Sequence, residues 1–299
     1  MAEHFPPPVP FLEGGIRLRG VTKQKSTDRP LFSIITVVHN GEKHLEQAIL
    51  SGLRQTYDNV EYIIVDGGST DGTLPVIRKY EDRIDYWVSE PDRGIYDAMN
   101  KGIALASGEL IGFLNSDDWY TPHALEEVVK AYKQHPDRKV AILGKWNAVF
   151  EDIGKTLTLQ PSLKFYRLRI CHQAMFVPKS IYEMVGPYDT SYKLSADLEM
   201  AVRLSMRKIE FVFLNETVVS FRTGGASGRK FHETGKEQSI IIKKYFPLTT
   251  YLMFQILRMK FEVFSFCSIL ITKILGEKAA GEIKKWYFRL FYSRFTERW

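Results

Sequence analysis

The 299-residue sequence predicts an α/β protein in which helices cover an open, largely parallel sheet. From Leu31 onward, apolar runs of strand length alternate with amphipathic segments of helical period, and polar or glycine-rich loops follow the strands. One apolar run, from Leu110 to Leu114, leads directly into the acidic pair Asp117 and Asp118. Sheets of this class bind ligands beyond the C-terminal ends of their strands, so these loops are the candidate site.

Predicted strands and helices alternate most regularly in the first half of the chain. We predict strands at 32–38, 60–65, 84–88 and 110–114, and helices at 43–55, 71–80 and 95–105. Asp71 is the expected N-cap of the second helix. Beyond Pro122 we expect strands at 139–144 and 172–177, further strands over 145–169 with a hairpin-like turn near 152–155, and a helix at 195–204. Asp197 falls in the first turn of that last helix, where the helix dipole favours a carboxylate.

The composition, with 44% hydrophobic residues, is that of a globular protein able to bury a full core. Cys171 and Cys267 are the only cysteines, and their spacing predicts neither a disulfide framework nor a zinc site. Prolines at 6–8 and the lack of a continuous apolar segment argue against a secretory signal and for an extended arm over 1–30. We therefore expect a cytoplasmic protein.

The excess positive charge lies in the C-terminal tail. Residues 243–299 contain 11 Lys or Arg and four Asp or Glu, a charge of +7 in a chain whose total is +6. The tail is rich in aromatic residues, but its uncharged runs are shorter than the ~18 residues that span a bilayer. This pattern predicts an amphipathic helical extension over 247–299 that lies on an anionic membrane surface. Packing on the domain or on a second subunit is the alternative; no nucleic-acid recognition motif accompanies the charge.

The acidic pair predicts a metal site for a phosphorylated ligand. Two adjacent carboxylates at the end of a buried strand repel unless a cation or a proton lies between them. Mg²⁺ and Mn²⁺ prefer oxygen ligands and are often held by one or two carboxylates plus substrate phosphates. The alternative is a solvated turn before a helix that opens near Thr121, with Asp118 or Thr121 as its N-cap.

The loops after the other strands are consistent with such a ligand. Asp66 follows the second strand, where a carboxylate can accept hydrogen bonds from a base or a ribose, and the glycines after it permit close approach of the backbone. His39 follows the first strand and has a ring able to stack on a nucleobase. A strand-to-helix turn is the alternative role for the Asp66 loop. Neither the G-x-G-x-x-G spacing nor a phosphate-binding Gly-Lys-Thr motif is present.

Four segments, taken together and in order, resemble the signatures of family-2 glycosyltransferases with the GT-A fold. They are TVVHNGE at 36–42, VDGGSTDGT at 65–73, DRGIYDAMNKG at 92–102 and NSDD at 115–118. The resemblance covers roughly residues 31–246. It implies a GT-A (Rossmann-like) domain with a mostly parallel mixed sheet. It also implies an inverting transferase that uses a nucleotide-sugar, usually a UDP-sugar, together with Mn²⁺ or Mg²⁺.

The resemblance also implies roles for individual residues. Asp118 corresponds to the metal ligand, and Asp197 corresponds to the general base, although Ala196 stands where relatives often carry Glu. Met99 replaces a basic residue common in relatives, and Arg93 is the nearest candidate to compensate. The other implied nucleotide-sugar contacts are Val38, His39, Glu42, Asp66 and Asp117, the last nearer the ribose.

Three further residues are candidates for contacts with the acceptor or the diphosphate. His172 and Gln173 stand at a strand start between the donor motifs and the predicted base. Arg229 belongs to a basic, glycine-rich segment at 222–230, which predicts a mobile lid, with a plain surface loop as the alternative.

These expectations predict a hexosyltransferase that acts on a polyprenyl-diphosphate-linked glycan in surface polysaccharide biosynthesis. A tail bound to the inner face of the cell membrane would hold the enzyme beside such an acceptor. The tail pattern also allows a homo-oligomer. A polyprenyl-phosphate sugar synthase and a non-catalytic sugar-nucleotide-binding protein are the alternative functions. A sugar-nucleotide pyrophosphorylase is disfavoured, because its basic glycine-rich loop is missing after the first strand.

Overall fold

A computed structural model describes residues 11–24, 26, 28–135, 137, 139–162, 169–223, 231–256 and 258–259 of this chain. The chain forms two compact units, one ending at Glu237 and the other beginning at Gln238. Within the described part of the first unit, ten strands form one sheet. These are β1 (Leu12–Gly14), β2 (Phe32–Val38), β3 (Val60–Asp66), β4 (Tyr86–Ser89), β5 (Leu110–Phe113), β6 (Trp119–Tyr120), β7 (Val140–Phe150), β8 (Lys155–Leu159), β9 (Met175–Pro178) and β10 (Glu210–Arg222).

Helices alternate with the strands, as the hydrophobic pattern predicts. Short 3₁₀ helices cover Ile16–Arg19, Glu151–Ile153 and His172–Ala174. The α-helices are α1 (Leu45–Leu53), α2 (Thr73–Lys79), α3 (Ile95–Leu105), α4 (Ala124–Lys133), α5 (Lys179–Val185), α6 (Ala196–Met206) and α7 (Phe231–Tyr245).

The sheet is mixed, with two parallel regions separated by an antiparallel strand. Its order is β1-β4-β3-β2-β5-β9-β7-β10-β6, with β8 attached to β7. Strands β4, β3, β2 and β5 run parallel, and β9 then pairs antiparallel with both β5 and β7. Strands β7 and β10 are parallel to each other. The largely parallel sheet predicted from the alternation is confirmed, and it is mixed, as the family resemblance implies.

Helix α3 packs closely on the centre of the sheet. A Cβ at Gly102 would lie 2.3 Å from Ile35 Cγ2, so a side chain at this position would push the helix off β2. Ile35 is fully buried, as are Phe32 and Ile34 in the same strand. Burial of every residue of β2 explains why its sequence is mostly apolar and does not alternate, with Ser33 and Thr36 as its only polar residues. The close packing holds α3 against β2, and the first turn of α3 lies beside the candidate site.

The sheet begins earlier in the chain than the predicted extended arm over 1–30 allows. Residues Leu12–Gly14 pair antiparallel with β4, and Arg17 in the following 3₁₀ helix forms an ion pair with the buried Glu61 at 2.6 Å. An edge strand of three residues has too few positions to show a period in the sequence, so its pairing with β4 was not predicted. Residues 1–10 lie outside the described residues.

Several predicted boundaries also shift. Strand β7 extends to Phe150, beyond the predicted end at 144, and turns into β8 through Glu151–Ile153, which confirms the hairpin. The predicted strand at 172–177 starts as a 3₁₀ helix. The N-cap of α2 is Gly72, although the Asp71 carboxylate accepts the Thr73 N–H at 3.0 Å. The N-cap of α4 is His123, so neither Asp118 nor Thr121 has that role.

Helix α6 begins at a turn that α7 stabilises. The carboxylate of Glu237 accepts three successive backbone N–H groups, from Lys193 at 2.8 Å and from Leu194 and Ser195 at 2.9 Å. These donors precede or open α6 and would otherwise lack partners. A residue late in the chain therefore completes the start of the helix that carries Asp197.

Candidate active site

The C-terminal edge of the parallel strands brings the predicted donor loops together. Strand register pairs Val38 with Asp66, and Asp66 with Ser89, so three strands end at the same level. The loops after β2 and β3 are joined directly, because the Asn40 N–H donates to Ser69 Oγ at 2.7 Å. This edge is the place where sheets of this class hold ligands.

Asp66 is fully enclosed at that edge. Its exposed fraction is 0%, and its carboxylate accepts hydrogen bonds from the Ser89 hydroxyl at 2.6 Å and from the Ser69 N–H at 3.0 Å. The Ser69 hydroxyl donates to its second oxygen. These contacts order the β3 loop. The predicted contact of Asp66 with a base or ribose stays a prediction.

The other predicted nucleotide contacts differ in exposure. Val38 is buried and its carbonyl accepts the Gly67 N–H at 2.8 Å, whereas the neighbouring His39 is exposed at the edge. Glu42 is exposed and accepts the Gly72 N–H at 2.7 Å, which attaches the β2 loop to the start of α2. His39 therefore offers a ring toward solvent where a nucleobase could stack.

The acidic pair follows β5, and its two members have different surroundings. Asp117 is half-buried, whereas Asp118 is fully buried. Asp118 Oδ2 accepts a hydrogen bond from Gln173 Nε2 at 2.6 Å, and Oδ1 accepts the Arg222 N–H at 2.9 Å. Burial raises the pKa of Asp118 to about 8, and the adjacent Asp117 carboxylate adds to the rise.

The acidic pair fits a divalent cation in its donor chemistry. Both groups offer carboxylate oxygens, and a cation would offset the burial and mutual repulsion that raise the pKa of Asp118. In the part of the chain that the structure describes, no three His, Cys, Asp or Glu side chains gather to hold a metal ion by themselves. Substrate phosphates would therefore have to supply further ligands, as is usual for Mg²⁺ sites.

Arg222, at the end of β10, covers the acidic pair. Its guanidinium donates to the Asp117 carbonyl and lies 4.6 Å from the ring centroid of Trp119. It also donates to Glu151 Oε1 at 2.7 Å and to Gln47 Oε1 at 2.6 Å. The first residue of the segment predicted as a lid is thus part of the ordered site, while residues 224–230, which include Arg229, lie outside the described residues.

Asp197, the predicted base, lies in the first turn of α6 with 22% of its side chain exposed. Tyr96 Oη donates to Asp197 Oδ1 at 3.3 Å, and His172 Nδ1 lies 3.5 Å from Oδ2. A partly exposed carboxylate can receive a proton from an incoming hydroxyl group. Glu199 is buried and paired with Arg203 at 2.8 Å, a structural contact within α6.

Two consecutive residues connect the acidic pair with the predicted base. His172 faces Asp197, and Gln173 binds Asp118. Nε2 of His172 also lies 3.2 Å from Asn115 Oδ1, in the loop that carries the acidic pair. The 3₁₀ helix before β9 therefore contacts both Asp118 and Asp197.

Arg93 does not join this cluster through its side chain. Its guanidinium is 79% exposed and pairs with Asp97 Oδ1 at 2.7 Å on the first turn of α3. Sequence reasoning missed Tyr96, Asn115 and Arg222 as site residues. Tyr96 and Asn115 lie inside recognised motifs, which was the available signal, but only the fold shows which atoms their side chains reach.

Solved structures of low sequence identity share this fold. Staphylococcus aureus TarS 1–349 in complex with UDP-GlcNAc matches with a TM-score of 0.58 and 18% identity, over 71% of this chain and 66% of that one. The longer TarS chain is covered to 39%. The mannosyltransferase PcManGT from Pyrobaculum calidifontis, in complex with GDP-Man and Mn²⁺, matches with a TM-score of 0.58 and 18% identity, over 76% of this chain and 68% of that one. The fold is that of the GT-A glycosyltransferases.

Sequence comparison identifies the family. The model of "Glycosyl transferase family 2" matches residues 33–176. An uncharacterized glycosyltransferase of Mycobacterium tuberculosis strain H37Rv is 32% identical over 209 residues, which cover 68% of this chain and 79% of that protein. A PGL/p-HBAD biosynthesis glycosyltransferase of Mycobacterium bovis strain BCG is 31% identical over 187 residues, covering 58% and 69%. This chain belongs to glycosyltransferase family 2.

Proposed function

We propose that this glycosyltransferase is an inverting hexosyltransferase that moves a sugar from a nucleotide-sugar, with UDP-sugars the first candidates, to a hydroxyl group of a lipid-linked glycan. The observation that carries the proposal is that two consecutive residues contact both carboxylates. His172 lies beside Asp197 and Gln173 binds Asp118, so a candidate base and a candidate diphosphate site lie together. A non-catalytic nucleotide-sugar-binding protein has no need for a partly exposed carboxylate beside that site.

In the proposed reaction, Asp197 acts as general base. The acceptor oxygen attacks the anomeric carbon as its proton passes to Asp197, and the bond to the diphosphate breaks with its electron pair on the leaving group. Attack opposite the leaving group inverts the anomeric configuration. A divalent cation bound at Asp118 would supply Lewis-acid neutralisation of the departing diphosphate. Asp66, His39 and Arg93 are proposed to hold the nucleotide.

The reaction is tested by a donor screen. Purified full-length protein is incubated with UDP-sugars and GDP-mannose in the presence of Mn²⁺ or Mg²⁺, and release of the nucleoside diphosphate is measured. We expect release from one donor, dependent on the cation and abolished by EDTA. Absence of release with every donor, with and without a saccharide acceptor or an acceptor lipid, would contradict a transferase of this kind. NMR of the product decides between inversion and retention.

An exposed apolar face in the second unit supports the proposed membrane-bound acceptor. Residues 248–256 are helical, and among them Leu248, Leu252 and Ile256 are all more than half exposed. Their spacing of four residues places them on one side of the helix. Lys243, Lys244 and Arg258 are the charged residues in the described part of this unit. None of the helices in the described residues has the length and hydrophobicity to cross a bilayer.

Vesicle binding tests the membrane assignment. Full-length protein is sedimented with vesicles of phosphatidylglycerol and phosphatidylcholine and with vesicles of phosphatidylcholine alone. We expect binding to the anionic vesicles that falls several-fold for the L248E/L252E double variant. Leu18→Glu, which changes an equally exposed leucine in the first unit, is the control and should bind like the wild type. Equal sedimentation of all three proteins would contradict this membrane face.

A further inference from the structure

The Asp197 carboxylate has partners on both oxygens, and two of them come from outside its own helix. Tyr96 Oη donates to Oδ1 at 3.3 Å, and His172 Nδ1 lies 3.5 Å from Oδ2. The Leu198 N–H donates to Oδ1 at 2.8 Å. Rotation of the carboxylate would break all three contacts, so the side chain has one preferred orientation.

Tyr96 is itself fixed by packing. It is 5% exposed, and its ring stacks on Tyr188 with a centroid distance of 5.5 Å and an interplanar angle of 29°. Asn100, one turn later in α3, donates to the Tyr188 carbonyl at 2.9 Å and accepts the Tyr188 N–H at 2.8 Å. The loop before α6 is therefore attached to α3. Burial, together with the nearby Asp197 carboxylate, raises the pKa of Tyr96 well above its ordinary value, so its hydroxyl remains a donor at neutral pH.

His172 is held from the opposite side. Its side chain is 13% exposed, and Nε2 lies 3.2 Å from Asn115 Oδ1 in the loop of the acidic pair. The ring therefore lies between that loop and the base. With one nitrogen facing each partner, the ring has little freedom to turn toward a substrate without losing both contacts.

We propose that His172 and Tyr96 are positioning residues that hold the Asp197 carboxylate in one orientation. Through its second nitrogen, His172 couples this orientation to Asn115 in the loop of the acidic pair. The inference rests on the proposed function and replaces direct contact with acceptor or diphosphate as the role of His172. Neither side chain needs to touch the donor. Loss of either one should therefore lower kcat and leave the donor KM nearly unchanged.

Two substitutions of His172 separate its two contacts. The side-chain nitrogen of asparagine takes a place close to that of Nδ1, and the nitrogen of glutamine takes one close to that of Nε2. We expect His172→Asn, which keeps a donor toward Asp197, to retain kcat within about threefold. His172→Gln, which keeps only the Asn115 contact, should lose about 30-fold in kcat, a fraction of what a general base contributes. Equal losses in both variants, or losses confined to KM, would overturn the assignment.

Tyr96→Phe tests the second holding group, with Tyr182→Phe as a matched control. Tyr182 belongs to the same aromatic cluster, but its buried hydroxyl makes no hydrogen bond to Asp197. We expect kcat to fall about 10-fold for Tyr96→Phe, as for loss of one hydrogen bond to a charged group, and to stay unchanged for Tyr182→Phe. Wild-type kcat in the folded Tyr96→Phe protein would overturn its role.

The outcomes distinguish this inference from the proposed function. A wild-type protein inactive with every donor refutes the proposed function. An active wild type whose folded Tyr96 and His172 variants keep their kcat refutes only the positioning role. Circular dichroism and thermal unfolding verify that each variant is folded, and non-additive losses in a cycle of His172→Ala and Asn115→Ala would support the connection to the acidic loop. Additive losses would refute that connection.

Discussion

The two carboxylates of the proposed reaction have opposite surroundings. Asp118 is fully buried, and each of its two oxygens accepts a hydrogen bond from a nitrogen donor. Asp197 is 22% exposed, and its partners reach it from two other parts of the chain. A buried carboxylate is stable as an anion only beside a compensating charge, whereas a partly exposed one can exchange a proton with a substrate. The proposed cation ligand is thus enclosed, whereas the proposed base is accessible.

The largest expected effect is the loss of kcat on substitution of the proposed base. Asp197→Asn removes the proton acceptor but keeps the size of the side chain, so we expect kcat to fall about 10³-fold. Nucleotide affinity, measured by calorimetry with UDP, should stay within about twofold because Asp197 is proposed to act on the acceptor and not on the nucleotide. An Asp197→Asn enzyme that retains substantial turnover would remove the base assignment.

The next largest effect is expected on substitution of the enclosed carboxylate, Asp118. Asp118→Asn removes the charge that would hold the cation, so we expect kcat to fall about 10²-fold and the donor KM to rise. Loss in both parameters, measured over a Mn²⁺ titration, would contrast with the loss in kcat alone at Asp197. Unchanged dependence on Mn²⁺ would place the cation elsewhere. Thermal unfolding accompanies the assay, because the amide also alters the contacts to Gln173 and Arg222.

A smaller effect concerns what encloses Asp118. Gln173→Leu removes the 2.6 Å hydrogen bond to a buried oxygen, so we expect the free energy of unfolding to fall by about 1–3 kcal/mol. Urea unfolding measures it. The matched control is Gln47→Leu, because Gln47 is exposed and contacts the Arg222 guanidinium. A surface substitution of this type should change the free energy of unfolding by no more than about 0.5 kcal/mol. Similar losses in the two variants would show that the enclosure contributes little.

The smallest expected effect concerns the rim of the donor side. If Arg93 contacts the nucleotide-sugar, Arg93→Ala should raise the donor KM about fivefold without changing kcat, as for loss of one exposed ion pair of about 1 kcal/mol. Arg19→Ala is the control, since Arg19 forms a comparable exposed pair with Asp82 at 2.8 Å. Equal KM values for the two variants would remove Arg93 from the donor site.

Sequence reasoning predicted the donor half more closely than the base half. The predicted spans 32–38 and 95–105 coincide with β2 and α3, because a continuous buried run and an amphipathic period are local signals. The strand predicted at 139–144 and the strand predicted to follow it form one continuous strand, β7, which pairs with β8 and β10. The continuity of β7 depends on its pairing with β10, which lies far along the chain.

The candidate site shows the same division. The motifs around Asp66 and Asp118 are local, and they indicated the family, from which the role of Asp197 was inferred. The enclosure of Asp66 could not be predicted, because it depends on Ser89 at the end of a neighbouring strand. Contacts of this type arise when the sheet brings separate segments together, and one sequence without its fold does not specify them.

The Glu237 carboxylate at the start of α6 has a consequence for any attempt to trim this enzyme. The family match stops at residue 176, which invites fragments that end soon after α6. Such a fragment would strip three backbone donors of their acceptor immediately before Asp197. The smallest autonomous enzyme therefore has to reach past Glu237, and the family match alone underestimates how much chain catalysis needs.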